Sequence, residues 1–294
     1  MVPLNERLKQ RGLLIADGAL GTMLFKKGLK PGESPERFNL EHPEVLEEIA
    51  KEYFLAGAEI IQTNTFGASP FKLEAVALEP KTEEVNAAAV RAVRKAVGDK
   101  AYVSGSCGPC GKLLKPFGNA DGDVVYESFR RQMKILIDEG IDLICIETMT
   151  DLNEALLAVR AARSLSPTLP VFATMTFDAT PRGFFTVMGN SIEEAAGALT
   201  AAGATVTGSN CGNGIVKMIR VAEEFKKHTT LPLIIQSNAG IPTLKHGVLE
   251  YPEDPEFMAE KTRELITMGV KVIGGCCGTT PEHIAAIRKI TTLK

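Results

Sequence analysis

The segment EGIDLICIETMTDLNEALLAVRAARSLSPTLPVFATMTF (139–177) contains the repeating unit that decides the fold. It places an apolar run, LICIET (143–148), before an amphipathic stretch (152–164), and it ends in a second apolar run, VFATMTF (171–177). Short apolar runs rich in β-branched residues predict buried strands, and apolar residues at helical spacing predict a helix packed against them. The segment therefore predicts a β-α-β unit whose two strands are parallel.

The same pattern extends in both directions along the chain. Candidate strands lie at 13–18, 59–65, 102–108, 143–148, 171–177, 205–211, 233–240 and 272–278. The intervening amphipathic segments are 43–56, 84–97, 124–139, 152–164, 192–202, 216–227 and 255–268, and a final one is 281–290. Eight such units favour a closed barrel over an open doubly wound sheet, which is the alternative and commonly has fewer strands. We predict a single-domain (β/α)₈ TIM barrel over 1–294, with a core of about 12–290.

The composition narrows the class of function. A hydrophobic fraction of 45% can bury one large core, and a net charge of -3 gives no basic surplus for binding nucleic acid. No apolar run approaches the roughly 18 to 20 residues of a membrane span, so we predict a cytoplasmic protein with a small-molecule substrate. The six unevenly spaced cysteines do not resemble a secreted disulfide framework, and they indicate metal binding or catalysis.

Polar residues end the predicted strands. In a barrel of this kind the active site lies at the carboxyl ends of the strands. The chain should therefore bring together residues that are far apart in sequence: Asp17, Asn64, Cys107, Glu147, Thr176, Cys211, Asn238, Cys276 and Cys277.

Three of these cysteines predict a zinc site. Cys276 and Cys277 are neighbours, and on a regular strand their side chains would point to opposite faces. The flanking glycines at 274, 275 and 278 would let the backbone bend and turn both sulfurs towards Cys211. Three thiolates with an open fourth position are typical of catalytic zinc, and soft sulfur ligands argue against Mg²⁺ or Ca²⁺. The alternative is buried core cysteines; a disulfide between adjacent cysteines would be strained.

The charge of such a site favours one kind of chemistry. Zn²⁺ with three thiolates carries a net charge of about -1, which makes it a weak Lewis acid for hydrolysis. A substrate thiol in the fourth position would lose its proton at neutral pH and stay reactive. The pattern predicts S-alkylation without naming the thiol or the alkyl donor.

Six motifs resemble the homocysteine-binding domain of the homocysteine S-methyltransferase family over residues 12 to 290. They are ADGALGTML (16–24), AGAEIIQTNTFGAS (56–69), ETMTD (147–151), NCGNG (210–214), SNAGIP (237–242) and GGCCGTTPEHI (274–284). The resemblance implies a (β/α)₈ barrel that holds Zn²⁺ through the three cysteines and methylates homocysteine to methionine. It also implies that Asp17 and Glu147 bind the amino group of homocysteine.

The resemblance implies further contacts with the substrate. Backbone N–H groups around Gly18, Ala19 and Thr22 would receive the carboxylate, and Asn210 belongs to the same substrate-binding set. From the residues alone, Asp17 is equally explained as a turn-capping aspartate, and Glu147 as a structural carboxylate of the rim.

Within the family, TNTF (63–66) and SNAG (237–240) look closest to the homocysteine module of cobalamin-dependent methionine synthases. Thr148 stands where betaine-using members carry a tyrosine. We expect the folate, cobalamin and reactivation modules of those synthases to be missing from this chain. We therefore expect the methyl group to come from methylcobalamin on a separate corrinoid protein or domain. The alternatives are an S-methylmethionine or betaine donor, or a non-catalytic zinc- and thiol-binding partner of a corrinoid protein; an aldolase is disfavoured because the predicted strands contain no lysine.

Several other residues have two readings. Asn238 could hold the fourth zinc position through its amide oxygen, or it could be a turn residue before Gly240. Cys107 and Cys110 have the spacing of redox motifs but lack a thioredoxin-like context, and they could shape the donor-facing rim or add a metal ligand. We predict that the four histidines, His42, His228, His246 and His283, lie on the surface.

Overall fold

Eight parallel strands form the centre of the molecule in the computed structural model, which describes residues 1–245 and 248–292. The strands are β1 (Leu14–Ile15), β2 (Ile60–Gln62), β3 (Tyr102–Cys107), β4 (Leu143–Met149), β5 (Val171–Met175), β6 (Val206–Gly214), β7 (Leu233–Asn238) and β8 (Val272–Gly275). Their order in the sheet is β1-β8-β7-β6-β5-β4-β3-β2, so neighbours in sequence are neighbours in space.

The sheet closes between its first two strands. Ala16 forms a parallel bridge with Ile60, and the backbone N–H of Asp17 donates to the Ile60 carbonyl at 3.0 Å. The N–H of Glu59 donates to the Ile15 carbonyl at 2.7 Å on the other side of the same seam. The predicted (β/α)₈ barrel is therefore confirmed, and the open sheet is excluded.

A helix follows each strand and packs on the outside of the barrel. These helices are α1 (Pro43–Leu55), α2 (Thr82–Val97), α3 (Gly122–Asp138), α4 (Leu152–Leu165), α5 (Ile192–Ala202), α6 (Ile215–His228), α7 (Pro255–Thr267) and α8 (Pro281–Thr292). Shorter helices are Leu4–Lys9, Leu20–Lys26, Phe38–Glu41 and Pro70–Glu74, with 3₁₀ turns at Pro35–Arg37 and Glu79–Lys81. None of the helices among the described residues is long and apolar enough to span a membrane.

Alternation along the strands divides the core into two layers. Strand residues such as Leu14, Tyr102 and Phe172 point into the barrel and pack with Leu4 and Leu8 of the amino-terminal helix. Their neighbours on the opposite face of each strand pack against α1 to α8. The amino-terminal helix thus closes the end of the barrel opposite the carboxyl ends of the strands.

Two hairpins at the carboxyl ends of the strands did not emerge from the sequence pattern. Asp178–Thr180 pairs with Gly183–Phe185 after β5, and Thr243–Lys245 pairs with Val248–Glu250 after β7. Their strands are only three residues long and largely exposed, so they lack the apolar runs that marked the barrel strands.

Candidate metal and substrate site

The three predicted ligand cysteines lie together. Cys211 is in the last part of β6, and Cys276 and Cys277 follow the end of β8. Their sulfurs all lie within 4.8 Å of one another, and the Sγ atoms of Cys211 and Cys277 are 3.9 Å apart. Three sulfurs bound tetrahedrally to one zinc at about 2.3 Å would be about 3.8 Å apart. The cluster therefore fits one zinc ion with only a small adjustment of the side chains.

Irregular backbone brings the sulfurs inward on both sides. Cys211 has a φ of 62°, a left-handed conformation that is rare for a residue other than glycine, where the register between β6 and β7 shifts. Beyond β8, the N–H of Cys276 donates to the Ser237 carbonyl at 2.7 Å, and Gly278 has a φ of 82°. The predicted bend thus comes after the strand, and the unusual φ of Cys211 was not predicted.

The three thiols of the cluster differ in their pKa values. Hydrogen bonds from Cys276 and Cys277 lower the pKa of Cys211 to about 3, and hydrogen bonding to Cys211 raises the pKa of the other two thiols. A cluster that readily holds one thiolate is prepared for a divalent cation, which favours deprotonation of the other two.

The sulfurs face a cavity of about 250 Å³ at the carboxyl ends of the strands. Its wall includes three parts: the loop after β1 with Gly18, Ala19 and Thr22, the acid Glu147, and the three cysteines. Glu36 and Phe66 line it as well, and none of the lining residues is a lysine, arginine or histidine. The cavity is therefore acidic and suits a ligand with a positive group.

Glu147 and Asp17 form the acidic part of this site. Glu147 is 7% exposed; its carboxylate accepts a hydrogen bond from the Ser106 hydroxyl, and burial raises its pKa to about 7. Asp17 is 2% exposed, and its Oδ2 accepts from the Gln62 N–H at 2.7 Å. Its Oδ1 is buried without a hydrogen-bond partner among the described residues. Burial, reinforced by the charge of Glu147, raises the pKa of Asp17 to about 8.

A family model described as homocysteine S-methyltransferase matches residues 14–291. The chain belongs to the homocysteine S-methyltransferase family. Two relatives named methionine synthase, from Mycobacterium leprae (strain TN) and Mycobacterium tuberculosis (strain ATCC 25618 / H37Rv), are each 32% identical over 301 residues, or 97% of this chain. These matches cover 24% and 25% of the two relatives, so the chain spans about a quarter of their length.

Solved structures with the same fold include the homocysteine methyltransferase MmuM from Escherichia coli. Its metallated form matches with a TM-score of 0.81 and 23% identity, covering 98% of this chain and 99% of that one. Its oxidised form matches with a TM-score of 0.83 and 22% identity, covering 99% and 100% of the two chains. At these identities the likeness supports the (β/α)₈ fold that the family shares with this chain.

Asn210 connects the acidic part of the site to the cysteines. Its Oδ1 accepts hydrogen bonds from the Thr148 N–H at 2.8 Å and the Thr174 hydroxyl at 2.7 Å. Its Nδ2 donates to the Thr148 hydroxyl at 2.7 Å and lies 3.4 Å from Glu147 Oε2 and 3.9 Å from Cys276 Sγ. Asn210 does not line the cavity, and its place is behind the wall, where it orients Glu147 and Thr148.

The loop after β1 meets the loop after β8. The N–H of Ala19 donates to the Thr279 hydroxyl at 3.1 Å, and the Thr22 hydroxyl accepts from the Gly278 N–H at 3.0 Å. The Ala19 amide is therefore already used within the protein. The amides of the first turn of helix Leu20–Lys26, which have no partner inside the helix, remain for an anion.

Asn238 ends β7 beside the cluster. It is 6% exposed, its side chain hydrogen-bonds to Cys211 and helps lower the pKa of that thiol, and its Oδ1 has no partner among the described residues. Asp17 likewise lies just behind the main cavity, in a narrow adjoining space shared with Gln62 and Asn64. Some strand-end side chains thus line the cavity, and others, such as Asp17, lie just behind its wall.

Cys107 and Cys110 lie outside the cluster. Both are buried in the layer between the barrel and its helices, and burial raises the pKa of Cys107 above its usual range and that of Cys110 to about 12. The Cys110 N–H donates to Glu154 Oε1 at 2.6 Å. Thiols that stay protonated are poor nucleophiles, which agrees with the absence of a redox context in the sequence.

The prediction that the histidines lie on the surface is wrong for His283. This residue is 7% exposed, and its two ring nitrogens contact the Thr280 hydroxyl at 3.0 Å and the Glu253 carbonyl at 3.1 Å. Burial lowers its pKa, so the ring is neutral. His42 is exposed and His228 partly exposed, whereas His246 lies outside the described residues.

Other residues of the site were missed from the sequence. Ser106 and Gln62 hold Glu147, and Glu36 lines the outer cavity with both of its oxygens bonded, to the Gly67 N–H and the Ser34 hydroxyl. Tyr251 hydrogen-bonds to Cys277. Ser106 and Gln62 do lie on predicted strands, so their inward-facing position could have been counted. Glu36 lies in a short 3₁₀ turn and Tyr251 in a loop, and neither segment carries a periodic signal.

Proposed function

We propose that this chain is a zinc-dependent methyltransferase that transfers a methyl group to the sulfur of homocysteine. The observation that carries the proposal is that Cys211, Cys276 and Cys277 cluster at the wall of a cavity that is also lined by the buried acid Glu147. The relatives named methionine synthase support it, as does the metallated form of the homocysteine methyltransferase MmuM.

The donor set fits zinc and leaves room for a substrate atom. Three sulfurs at tetrahedral spacing supply three ligands, and the cavity opens on the fourth side. When bound, Zn²⁺ at this position would acidify a substrate thiol so that it is a thiolate at neutral pH. The unpartnered Oδ1 of Asn238 supports the proposal that its amide oxygen takes the fourth position when substrate is absent.

The acids provide a place for the amino group. Glu147 lines the cavity, and the Asp17 Oδ1 has no other partner, so an ammonium group between them would satisfy both. An ammonium ion would also lower the raised pKa of each acid and hold both as carboxylates. Ser106, Gln62 and Asn210 fix the direction of the Glu147 carboxylate before the substrate arrives.

The loop after β1 provides a place for the carboxylate. The amides of Leu20, Gly21 and Thr22 lie at the wall of the cavity at the start of a helix. With the amino group at the acids and the carboxylate at these amides, the thiol of homocysteine is directed to the cysteine cluster. The sulfur then takes the methyl group, while the donor keeps the electron pair of the bond that breaks.

For the donor we propose a methyl-corrinoid, methylcobalamin, carried by a separate protein or domain. The methionine synthase relatives extend over about four times the length of this chain, which leaves room in them for such a domain. A reducing compartment such as the cytoplasm suits the six free thiols of the chain.

One observation favours a second donor class. The cavity has carboxylates and thiols but no basic side chain, and Phe66 presents a partly exposed ring beside the buried carboxylate of Glu36. Both groups attract a methylated cation, so a sulfonium or quaternary ammonium donor is the alternative.

A donor screen tests the proposal. Zinc-loaded protein and homocysteine are incubated with methylcobalamin, S-methylmethionine or betaine, and methionine is measured along with zinc content. We expect methionine from methylcobalamin, and loss of both zinc and activity in Cys276→Ala. Methionine from S-methylmethionine alone would select the second donor class, and no methionine from any donor by a zinc-loaded protein would reject the proposed function.

A further inference from the structure

A three-residue segment, YPE (251–253), packs against the residues that follow Cys211, Asn238 and Cys277. It connects the hairpin after β7 to α7, and it contacts the carboxyl ends of β6, β7 and β8. None of its residues was singled out from the sequence, because it lies outside every strand and helix. We refer to it as the 251–253 segment.

Each of the three loops meets the segment through a glycine that leaves no room for a side chain. A Cβ atom would lie 2.1 Å from Glu253 Oε1 if added to Gly214, 2.7 Å from Pro252 Cγ if added to Gly240, and 2.1 Å from the Tyr251 ring if added to Gly278. These glycines come three residues after Cys211, two after Asn238 and one after Cys277. The contacts therefore reach every loop that carries a sulfur of the cluster or the candidate fourth ligand.

The Glu253 carboxylate fixes the loop that carries Cys211. Helix α6 begins after Gly214, which has no side chain to cap the helix. Glu253 Oε2 accepts a hydrogen bond from the first helical N–H, that of Ile215, at 2.9 Å, and so caps α6 from a distant part of the chain. Cys211, which has a left-handed conformation, lies only four residues before Ile215, so the cap holds the backbone close to that sulfur.

The backbone of Glu253 fixes the other two loops. Its N–H donates to the carbonyl of Ala239, the residue after Asn238, at 3.0 Å. Its carbonyl contacts His283 Nε2 at 3.1 Å, and His283 Nδ1 contacts the Thr280 hydroxyl at 3.0 Å. A carbonyl can only accept, so Nε2 carries the proton and Nδ1 accepts. The neutral ring thus links the segment to the loop after Cys277.

We propose that Glu253 is a positioning residue for the metal: it sets the distance between Cys211 and the Cys276–Cys277 pair. The proposal rests on the zinc site of the proposed function. It differs from a general stabilising role because α6 and α8 each begin beside a loop of the cluster, and Glu253 is bonded to both of those beginnings, directly to α6 and through His283 to α8. Its loss should widen the sulfur cluster more than it unfolds the barrel.

Measuring the zinc affinity of variants distinguishes a positioning role of Glu253 from a general stabilising role. The dissociation constant is measured by competition with a chromophoric chelator for wild type, Glu253→Ala, Glu253→Gln and Asp254→Ala, with the melting temperature of each metal-free protein measured alongside. Asp254 is the matched control, because it is also a carboxylate cap in this part of the chain but serves α7, through the Phe257 N–H at 2.8 Å.

We expect Glu253→Ala to bind zinc about 10- to 100-fold more weakly than wild type, as is usual for residues that orient metal ligands. Glu253→Gln keeps an acceptor for the Ile215 N–H, and it should stay within about threefold of wild type. Asp254→Ala should lose stability like any capping variant, with zinc affinity within about threefold of wild type. The absorption bands of the Co²⁺-substituted protein should change in Glu253→Ala and not in Asp254→Ala.

A double-mutant cycle gives a second readout. A Cβ on Gly214 would displace the Glu253 carboxylate, so Gly214→Ala should weaken zinc binding in wild type but add little in a Glu253→Ala background. Equal zinc affinity for Glu253→Ala and Asp254→Ala, or full additivity in the cycle, overturns the positioning role. Failure of wild type itself to bind zinc better than Cys276→Ala would instead overturn the zinc site, so the two failures are distinguishable.

Discussion

At the scale of one residue, the buried carboxyl group of Asp17 shows how a candidate binding residue can lower the stability of the folded protein. Folding raises the pKa of its carboxyl group from an ordinary 3.8 to about 8, chiefly because it is buried. Between these pH values the folded protein retains a proton that the unfolded chain has released, so the contribution of Asp17 to stability is present at low pH and falls as the pH rises from about 4 to about 8. The proposed contact with the amino group of homocysteine is our reason for a carboxyl group at this buried position.

The variant Asp17→Asn should therefore be more stable than wild type at pH 8 and bind homocysteine more weakly. We expect a melting temperature higher by a few degrees at pH 8, with little difference at pH 4. The dissociation constant of homocysteine should rise about 10- to 100-fold, the value of one charge-assisted contact. Thermal melting at the two pH values and calorimetric titration check both expectations; a variant destabilised at pH 8 would contradict them.

Asn210, unlike Asp17, should stabilise the folded protein, because its side-chain amide hydrogen-bonds to neighbours that are themselves buried. Asn210→Ala leaves the Thr148 N–H and the Thr174 hydroxyl without their acceptor, and we expect the free energy of unfolding to fall by about 2–4 kcal/mol. Homocysteine affinity should fall as well, since Glu147 loses a contact. Thr174→Val is the control: it removes one hydrogen bond and should cost about 1 kcal/mol in urea unfolding. If Asn210→Ala and Thr174→Val lowered the free energy of unfolding equally, the other hydrogen bonds of Asn210 would contribute nothing measurable to stability.

At the scale of secondary-structure elements, the proposed metal would join the ends of β6 and β8, which are not neighbours in the sheet because β7 lies between them. Chelation of zinc should free the ends of β6 and β8 while leaving α2 and α3 on the far side of the barrel unchanged. In the chelated protein we expect faster amide exchange in peptides covering 208–216 and 275–281. Its melting temperature should lie roughly 5 °C or more below that of the same protein at saturating zinc. Exchange that rises uniformly over the chain would argue against a local role of the metal.

The elements also differ in how well the sequence predicts them. Helix α5 begins and ends where its pattern does, and β3 differs from its prediction by one residue, because buried faces leave a periodic signal. The 251–253 segment and the φ of Cys211 leave no such signal, since both depend on contacts between distant parts of the chain. His283 was misplaced for the same reason: a polar residue in a helix looks exposed until its two partners are known. The three cysteines of the cluster were predicted because the flanking glycines and the strand ends can be recognised from the local sequence.

At the scale of the whole molecule, the candidate site and the amino-terminal helix lie at opposite ends of one barrel. The cluster and its cavity occupy the carboxyl ends of the strands, whereas Leu4 and Leu8 close the other end and pack with Leu14, Tyr102 and Phe172. In this architecture the active site and the opposite end of the barrel are formed by different residues, so we expect substitutions at the two ends to act separately.

Leu8→Ala tests that separation. The side chain is 8% exposed within the inner layer, so its truncation should lower the free energy of unfolding by about 2–4 kcal/mol. Zinc and homocysteine affinities should stay at wild-type values, because Leu8 packs at the end of the barrel opposite the cysteine cluster. Lys9→Ala on the same helix, whose side chain is 72% exposed, is the control and should change stability by no more than about 0.5 kcal/mol. Urea unfolding and zinc competition measure the two effects, and a joint loss of stability and zinc affinity in Leu8→Ala would mean that the barrel transmits strain from one end to the other.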